Sequence, residues 1–181
     1  MEARKYIPHY RVSDWEKWEG DWELIGGIAF AMSPSPSYLH QEISGNILYM
    51  IKKALGNCPN CSVIQDLDWQ IDKDTVVRPD LMLLCGNVTE LRTLKRITTT
   101  PQMVVEIMSE STKKNDQEVK MDLYTESSVA TYILVDPEKK WTEVYELKNG
   151  KFILIYQGEG TILPHTFGEC LISADWSGIF Y

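Results

Sequence analysis

Two short apolar segments, each interrupted by a single carboxylate, limit how this chain can fold. The first reads VVRPDLMLL and carries Asp80, and the second reads QMVVEIM and carries Glu106. Short apolar runs of this kind are typical of strands that are buried in a sheet. A carboxylate in such a strand costs several kcal/mol unless it is paired or binds a metal ion. We therefore expect the fold to supply a partner to both acids.

Asp80 follows directly on Pro79. Proline cannot donate to a β-ladder, so it predicts a bulge, a sheet edge or a strand end, where the next side chain is re-aimed. Lys120 follows on a helix predicted over residues 113–125, in which Val119 is expected to face inward. Two carboxylates at matching heights on adjacent strands can share one Mg²⁺ ion, and a nearby ammonium can orient a water nucleophile. The sequence thus suggests a metal site with one lysine beside it.

The same residues also have a purely structural interpretation. Asp116 and Lys120 are four residues apart on the predicted helix, which is the spacing of a helix salt bridge. Asp80 and Glu106 would then be paired with Arg78 or Lys120. The residues alone leave both interpretations open.

A second helix is predicted over residues 38–55, between the N-cap Ser37 and the C-terminal stop Gly56. Its apolar residues recur at helical spacing, so one face is expected to be buried. Glu42 and His40 lie off the centre of that face. Either residue could join a metal site at the buried edge, or could belong to an ordinary solvated helix face.

The rest of the pattern predicts mainly strands. Glycine pairs or Asn-Gly mark two of the hairpin turns, and a central strand is expected at residues 102–108. The chain as a whole indicates an α/β (α+β) fold, with a mixed central sheet flanked by helices and additional antiparallel hairpins. At 181 residues, one domain over residues 1–181 is expected. The other predicted elements are a helix over 12–19, hairpins over 22–32, 62–84 and 141–157, and a strand over 131–135.

A net charge of -8 and a sequence pI of about 4.9 argue against a nonspecific, high-affinity nucleic-acid binder. They do not exclude an enzyme, because metal-binding carboxylates themselves make a chain acidic. Outside Lys113-Lys114, the most basic cluster is Arg92, Lys95 and Arg96. It is either one side of a solvated short helix or a face that contacts phosphate.

Nothing in the sequence resembles a signal peptide or a membrane span, so a cytoplasmic location is expected. In that compartment Cys58, Cys61, Cys85 and Cys170 are expected to be free thiols. Cys58 and Cys61 have CxxC spacing, but no second pair completes a zinc site. An incidental turn is the favoured interpretation, and metal or redox use is the alternative.

The order of these motifs resembles the PD-(D/E)xK nuclease superfamily and, more closely, the Uma-type restriction endonuclease family. The resemblance covers nearly the whole chain. It is carried by ELIGG, SPSPSYLHQ, RPDL, VVEIMSEST and YILVDP, together with the spacing of Asp116, Lys120 and Tyr124. It implies a restriction-endonuclease-like core and hydrolysis of DNA phosphodiester bonds with Mg²⁺, or Mn²⁺, as cofactor.

The resemblance assigns roles to individual positions. Asp80 matches the aspartate of the PD motif and Glu106 the second acid, with the carbonyl of Ile107 as a further metal ligand. Glu42 corresponds to an acid that many members place on their first core helix. Lys120 matches the family's lysine on the following helix.

One position departs from the superfamily pattern. Met108 stands where the usual lysine would follow the second acid. The alternative function is therefore a catalytically silent nuclease fold that acts as a binding or assembly module.

Four further residues are candidates for contact with the substrate, namely His40, Gln41, Lys113 and Lys114. A homodimer is also expected, since two chains with one site each can cut both strands of a duplex.

Overall fold

The structure is a computed structural model that describes residues 8–32, 35–56, 58–110, 112–160, 162–167 and 170–181. The helices are α1 Val12–Trp15, α2 Tyr38–Leu55, α3 Val88–Leu91 and α4 Lys120–Glu126, with a π-helical turn at Asn115–Val119 and a 3₁₀ turn at Trp176–Gly178. The strands are β1 Trp22–Ile25, β2 Ile28–Ala31, β3 Cys61–Gln65, β4 Trp69–Gln70, β5 Val76–Val77, β6 Leu81–Cys85, β7 Met103–Ile107, β8 Thr131–Asp136, β9 Trp141–Lys148, β10 Lys151–Gly158, β11 Ile162–Phe167 and β12 Cys170–Asp175.

These strands form three sheets. The large sheet has the order β10-β9-β8-β7-β6-β3, and in it β7 and β8 run parallel while the other neighbours are antiparallel. A small sheet has the order β2-β1-β5-β4, and β11 pairs with β12. The expected α+β fold with a mixed central sheet is confirmed.

The large sheet carries a core on each face. Alternate residues of β7 point to opposite sides, so Val105 and Ile107 join the core that α2 covers, while Val104 joins the core beside α4. Trp176 and Ile179 near the C-terminus pack into the α2 core. The central strand β7 is buried along its whole length, as its apolar run predicts.

The predicted hairpin over residues 62–84 is wrong in one respect, because each of its two strands is divided between two sheets. β3 ends at Gln65 in the large sheet, and β4 lies in the small sheet. The return strand breaks at Pro79, between β5 and β6. Asp66, with a φ of 51°, begins the first crossing, and Asp80 ends the second.

Helix α2 has the predicted boundaries. The Ser37 hydroxyl accepts a hydrogen bond from the His40 N–H at 3.2 Å, and Gly56 ends the helix with a φ of 42°. The hairpins at Gly26-Gly27 and Asn149-Gly150 are also confirmed. The N-terminal helix is shorter than predicted and ends at Trp15.

The helix predicted over 113–125 differs in register. It begins with a π-helical turn, whose wider spacing rotates the residues that follow. Val119, which was expected to face inward, is 37% exposed. The buried residues are instead Asp116, Lys120 and Tyr124.

The expectation of free thiols is corrected for the described cysteines. Cys61 and Cys85 are directly opposite each other in the β3–β6 ladder and form a disulfide. Cys58 is also disulfide-bonded, so neither residue of the CxxC spacing is a free thiol. The side chain of Cys170 lies outside the described residues. Within the described ranges, no helix is long and apolar enough to cross a membrane.

Candidate active site

Asp80 and Glu106 lie side by side at one end of the large sheet. In the β6–β7 ladder Leu81 is opposite Val105, so one further step of the antiparallel register places Asp80 opposite Glu106. The Asp80 N–H lies 3.4 Å from Glu106 Oε2 and donates to it. The structure therefore brings together the two acids that the sequence singles out, 26 positions apart.

Ile107 also faces Asp80. Its N–H donates to Asp80 Oδ2 at 2.6 Å. The N–H and the C=O of one strand residue point to the same side, so the Ile107 carbonyl faces Asp80 too. The Ile107 main chain also approaches the His40 ring and helps to raise the pKa of that imidazole, as expected for a carbonyl oxygen on this side of β7. Two carboxylates and one main-chain oxygen thus converge at the end of β7.

Glu106 is almost fully buried and is held from the side of α4. Its Oε1 accepts a hydrogen bond from Lys120 Nζ at 3.0 Å and another from the Tyr124 hydroxyl at 2.7 Å. Lys120 and Tyr124 are one helical turn apart, so both reach the same oxygen. Oε2 is left facing Asp80.

Lys120 lies among three carboxylates. Besides Glu106, its Nζ is 3.1 Å from Glu23 Oε1 and 3.6 Å from Asp116 Oδ1. All four side chains are at most 7% exposed. The expected Asp116–Lys120 contact exists, but it is the longest of the three. The cluster carries more acids than cations.

That surplus of charge appears in the pKa values. Burial, aided by the neighbouring carboxylates and opposed by Lys120, raises the pKa of Glu106 well above its usual value. Burial likewise raises the pKa of Asp116. Burial alone would lower the pKa of Lys120, but Glu106, Glu23 and Asp116 raise it well above its usual value. Lys120 therefore stays protonated, and a further positive charge beside Glu106 would be favourable.

His40 approaches Asp80 from helix α2. Its Nε2 lies 3.3 Å from Asp80 Oδ2, and its Nδ1 is buried with no hydrogen-bond partner among the described residues. Burial acts to lower the pKa of His40, but Asp80 and Asp66 outweigh it, so the pKa is raised. The Asp66 N–H donates to the Asp80 carbonyl at 3.3 Å, which places a third acid near the Asp80 side of the site.

Glu42 is not placed with these acids. Its side chain is exposed and accepts a hydrogen bond from the Tyr38 hydroxyl at 3.3 Å, one turn earlier on α2. Gln41 is exposed on the same helix. Of the α2 residues considered, His40 is the one that contacts Asp80.

The basic candidates are outside this cluster. Lys113 donates to Asp136 Oδ2 at 2.9 Å beside a cavity of about 170 Å³, and Lys114 is exposed. In the other basic cluster, Arg96 pairs with Glu16 and lies over the Trp15 ring. None of these contacts reaches the acid pair.

Arg78 is also engaged elsewhere. Its guanidinium pairs with Asp68 at 2.8 Å and with Asp21 at 2.7 Å, rather than with Asp80. The structural pairing of Asp80 with Arg78 is therefore absent, whereas the pairing of Glu106 with Lys120 is present.

Glu23 and Asp66 were not identified from the sequence. The signal for Glu23 was available, because it is a carboxylate within the apolar strand WELI, the same anomaly that marks Glu106. Asp66 carried no such signal, since it lies in an alternating segment where an exposed acid is ordinary. Its positive φ becomes visible only in the folded chain.

The chain was compared with known proteins. Residues 9–172 match the family model described as "Uma2: Putative restriction endonuclease". No curated protein matches the chain. A crystal structure of "a putative nuclease belonging to DUF820" from Anabaena variabilis superposes with a TM-score of 0.73, covering 94% of this chain and 97% of that one at 13% identity.

At that identity the superposition establishes a shared fold and nothing further. The family match covers most of the chain, and the segment it covers includes both acids and Lys120. This protein belongs to the Uma2 restriction endonuclease family.

Proposed function

We propose that the protein is a divalent-metal-dependent nuclease that hydrolyses DNA phosphodiester bonds at Asp80 and Glu106. The observation that carries this proposal is the pairing of the two acids where β6 starts and β7 ends, with an ammonium 3.0 Å from one of them. Membership of the nuclease family and the shared fold support it.

The donor set suits Mg²⁺ better than a metal that needs a cage of side chains. Among the described residues, no group of three or more His, Cys, Asp and Glu side chains is arranged to hold a metal. Mg²⁺ is commonly bound by one or two carboxylates and keeps several waters. Asp80, Glu106 and the Ile107 carbonyl fit that requirement, and Mn²⁺ can use the same ligands. Glu42, exposed on α2, is not part of this set.

When bound there, such an ion would polarise a phosphate oxygen and make a bound water more acidic. The protein's own residues prepare the site for that chemistry. Tyr124 and Lys120 fix Glu106 Oε1, so the other oxygen stays directed at Asp80. Lys120 supplies positive charge beside the acids, and in this proposal it orients the attacking water.

The proposed substrate is DNA and the proposed assembly is a homodimer. DNA follows from the family, and cleavage of both strands favours a homodimer. His40 and Gln41 at the start of α2, and Lys113 and Lys114 before the π turn, are proposed to contact the DNA backbone. His40 is the one of these that lies beside Asp80.

A second candidate function is a binding or assembly module that has lost catalysis. The position of Lys120 favours it, because three carboxylates surround the ammonium and would restrain it from reaching a water. Met108, in the place of the usual lysine, is buried in the core beside α4 and offers no replacement.

The two functions are separated by a cleavage assay. Purified protein is incubated with supercoiled plasmid or single-stranded DNA and Mg²⁺ or Mn²⁺. The nuclease predicts cleavage that falls by at least about a thousandfold in Asp80→Asn and Glu106→Gln, while Glu42→Gln, an exposed acid, behaves like wild type. Equal cleavage by wild type and both acid variants would overturn the assignment of catalysis to Asp80 and Glu106. No cleavage by wild type, with no divalent ion bound at Asp80 and Glu106 in calorimetry, would favour the silent module.

A further inference from the structure

Glu23 is a buried acid to which the proposed chemistry gives no role. It lies on β1 in the small sheet, whereas the other acids of the cluster come from the end of the large sheet and from the π turn. Its side chain is 7% exposed. A buried carboxylate contributes less to stability than an apolar residue of similar size, so its retention calls for a local reason.

One oxygen of Glu23 makes two contacts of different kinds. Glu23 Oε1 accepts a hydrogen bond from the Arg78 N–H at 2.9 Å, and it lies 3.1 Å from Lys120 Nζ. Arg78 is two residues before Asp80, in the segment that crosses from the small sheet to the large one. Lys120 bonds to Glu106. Glu23 thus connects the main chain next to one acid with the ammonium that holds the other.

This connection joins the small sheet to Lys120 by a route separate from the one through Glu106, which links Asp80 to the lysine at the end of the large sheet. Asp80 is fixed through its own strand end and the Ile107 N–H, and Lys120 through the α4 backbone. Asp116 also pairs with Lys120, but it lies four residues away on the same helix and ties the lysine only to its own element. Among the described contacts of Lys120, the one with Glu23 leads on, through the Arg78 N–H, to the segment that ends at Asp80.

We propose that Glu23 is a positioning residue that holds Lys120 and the Arg78–Asp80 crossing in register, so that the lysine stands beside the acid pair. This inference rests on the proposed nuclease function for its effect on rate. Its structural part, the coupling of Glu23 to Lys120, can be measured without any activity.

Two substitutions of Glu23 separate its two contacts. Glu23→Gln keeps an oxygen that can accept from the Arg78 N–H but removes the charge next to Lys120. Glu23→Leu removes both. If Glu23 acts through charge, Glu23→Gln lowers kcat by about tenfold or more with KM nearly unchanged, because Glu23 is buried and is not one of the residues proposed to contact the substrate. Glu16→Gln, which alters an exposed ion pair of the same N-terminal region, serves as the matched control.

The deciding experiment is a double-mutant cycle with Lys120→Met, measured by urea unfolding. Glu23→Gln is expected to lower the folding equilibrium constant of the wild type. In the Lys120→Met background it is expected to raise that constant by about tenfold, because it removes a buried carboxylate that has lost its cation. The same shift in both backgrounds would overturn the proposal.

The rate measurement and the double-mutant cycle test different parts of the proposal, so either result can fail without the other. If wild-type protein cleaves no DNA, the nuclease function is lost while the cycle still decides whether Glu23 is coupled to Lys120. If wild type cleaves and Glu23→Gln cleaves equally fast, the positioning role is overturned and the nuclease stands.

Discussion

The two helices that cover the large sheet, α2 and α4, pack on it with faces of different polarity. Helix α2 buries an apolar face that includes Ile43, Ile47 and Ile51. The π turn and α4 bury a polar row instead, made of Asp116, Lys120 and Tyr124. Both rows repeat at helical spacing and both pack on the same sheet, so the difference lies in what each face contributes.

Apolar burial stabilises, by roughly 1.5–3 kcal/mol for a side chain the size of isoleucine. Buried ion pairs do so poorly, because the desolvation of the charges offsets their attraction. The apolar face of α2 therefore stabilises the fold. The polar face of α4 contributes less stability, but it keeps a fixed charge beside Glu106. A π-helical turn at the start of that polar face agrees with the frequent occurrence of such turns at functional sites.

The largest effect is expected from Lys120→Met. It leaves the buried acids Glu23, Glu106 and Asp116 without their cation, and should lower the free energy of unfolding by about 3–5 kcal/mol. The loss should be greater at about pH 8 than at about pH 5. Burial raises the pKa of Glu106, so protonation at the lower pH relieves the unpaired charge and deprotonation restores it.

Urea unfolding followed by circular dichroism measures this. Lys114→Met, on the exposed side of the same segment, is the control and should change stability by less than about 0.5 kcal/mol. Equal stability of the two variants would contradict the assignment of Lys120 to a buried cluster of acids.

Ile47→Ala tests the apolar face. Ile47 is fully buried on the sheet-facing side of α2. Its truncation should lower the free energy of unfolding by roughly 2–4 kcal/mol through lost contacts and a cavity. Affinity for Mn²⁺, measured by calorimetry on the folded protein, should stay within about twofold of wild type. A large loss of affinity would show that the two faces are not separable as described.

A smaller effect is expected from Tyr124→Phe, which removes one hydrogen bond to Glu106 and no charge. Stability should fall by about 1.5–3 kcal/mol, the range for a hydrogen bond to a charged group. Tyr145→Phe is a matched control, because Tyr145 donates to Glu143 at the same 2.7 Å but in a partly exposed position. Thermal unfolding of both variants measures the difference, and an equal loss would contradict it.

The smallest effect concerns Lys113 and Asp136. Burial alone would raise the pKa of Asp136, but the hydrogen bonds from Lys113 and the Lys139 N–H lower it. A carboxylate with a lowered folded pKa stabilises above its unfolded pKa, and this stabilisation is lost as the pH falls through the folded value. Lys113→Met should therefore cost under about 1 kcal/mol near neutral pH, and less in acid. Urea unfolding near pH 7 and pH 3 measures it, and a larger loss in acid would contradict it.

The acid pair could be predicted because each acid interrupts an apolar strand, and antiparallel neighbours bring such positions together. Glu23 interrupts β1 in the same way, but the strand has four residues, and nothing in its pattern indicates which core it faces. The division of residues 62–84 between two sheets was also out of reach, since alternation identifies a strand without identifying its partner.

The two helices show a second limit. The sequence did not decide whether Glu42 faces the sheet or the solvent, because a small rotation of the helix turns a residue at the edge of an apolar stripe to either side. Leu39 has the helical spacing of the same stripe, yet it is 43% exposed. The orientation of Val119 was mispredicted because a π turn changes the helical spacing, and the segment NDQEV gives no sign of it.

The proposed function depends above all on Asp80 and Glu106 forming one divalent-metal site. Calorimetric titration of Mn²⁺ into wild type, Asp80→Asn, Glu106→Gln and Glu42→Gln tests it most directly. We predict one bound ion for wild type and Glu42→Gln, and an affinity at least about tenfold weaker in each variant of the acid pair. Equal binding by all four proteins, or no binding by wild type, would contradict a divalent-metal site at Asp80 and Glu106.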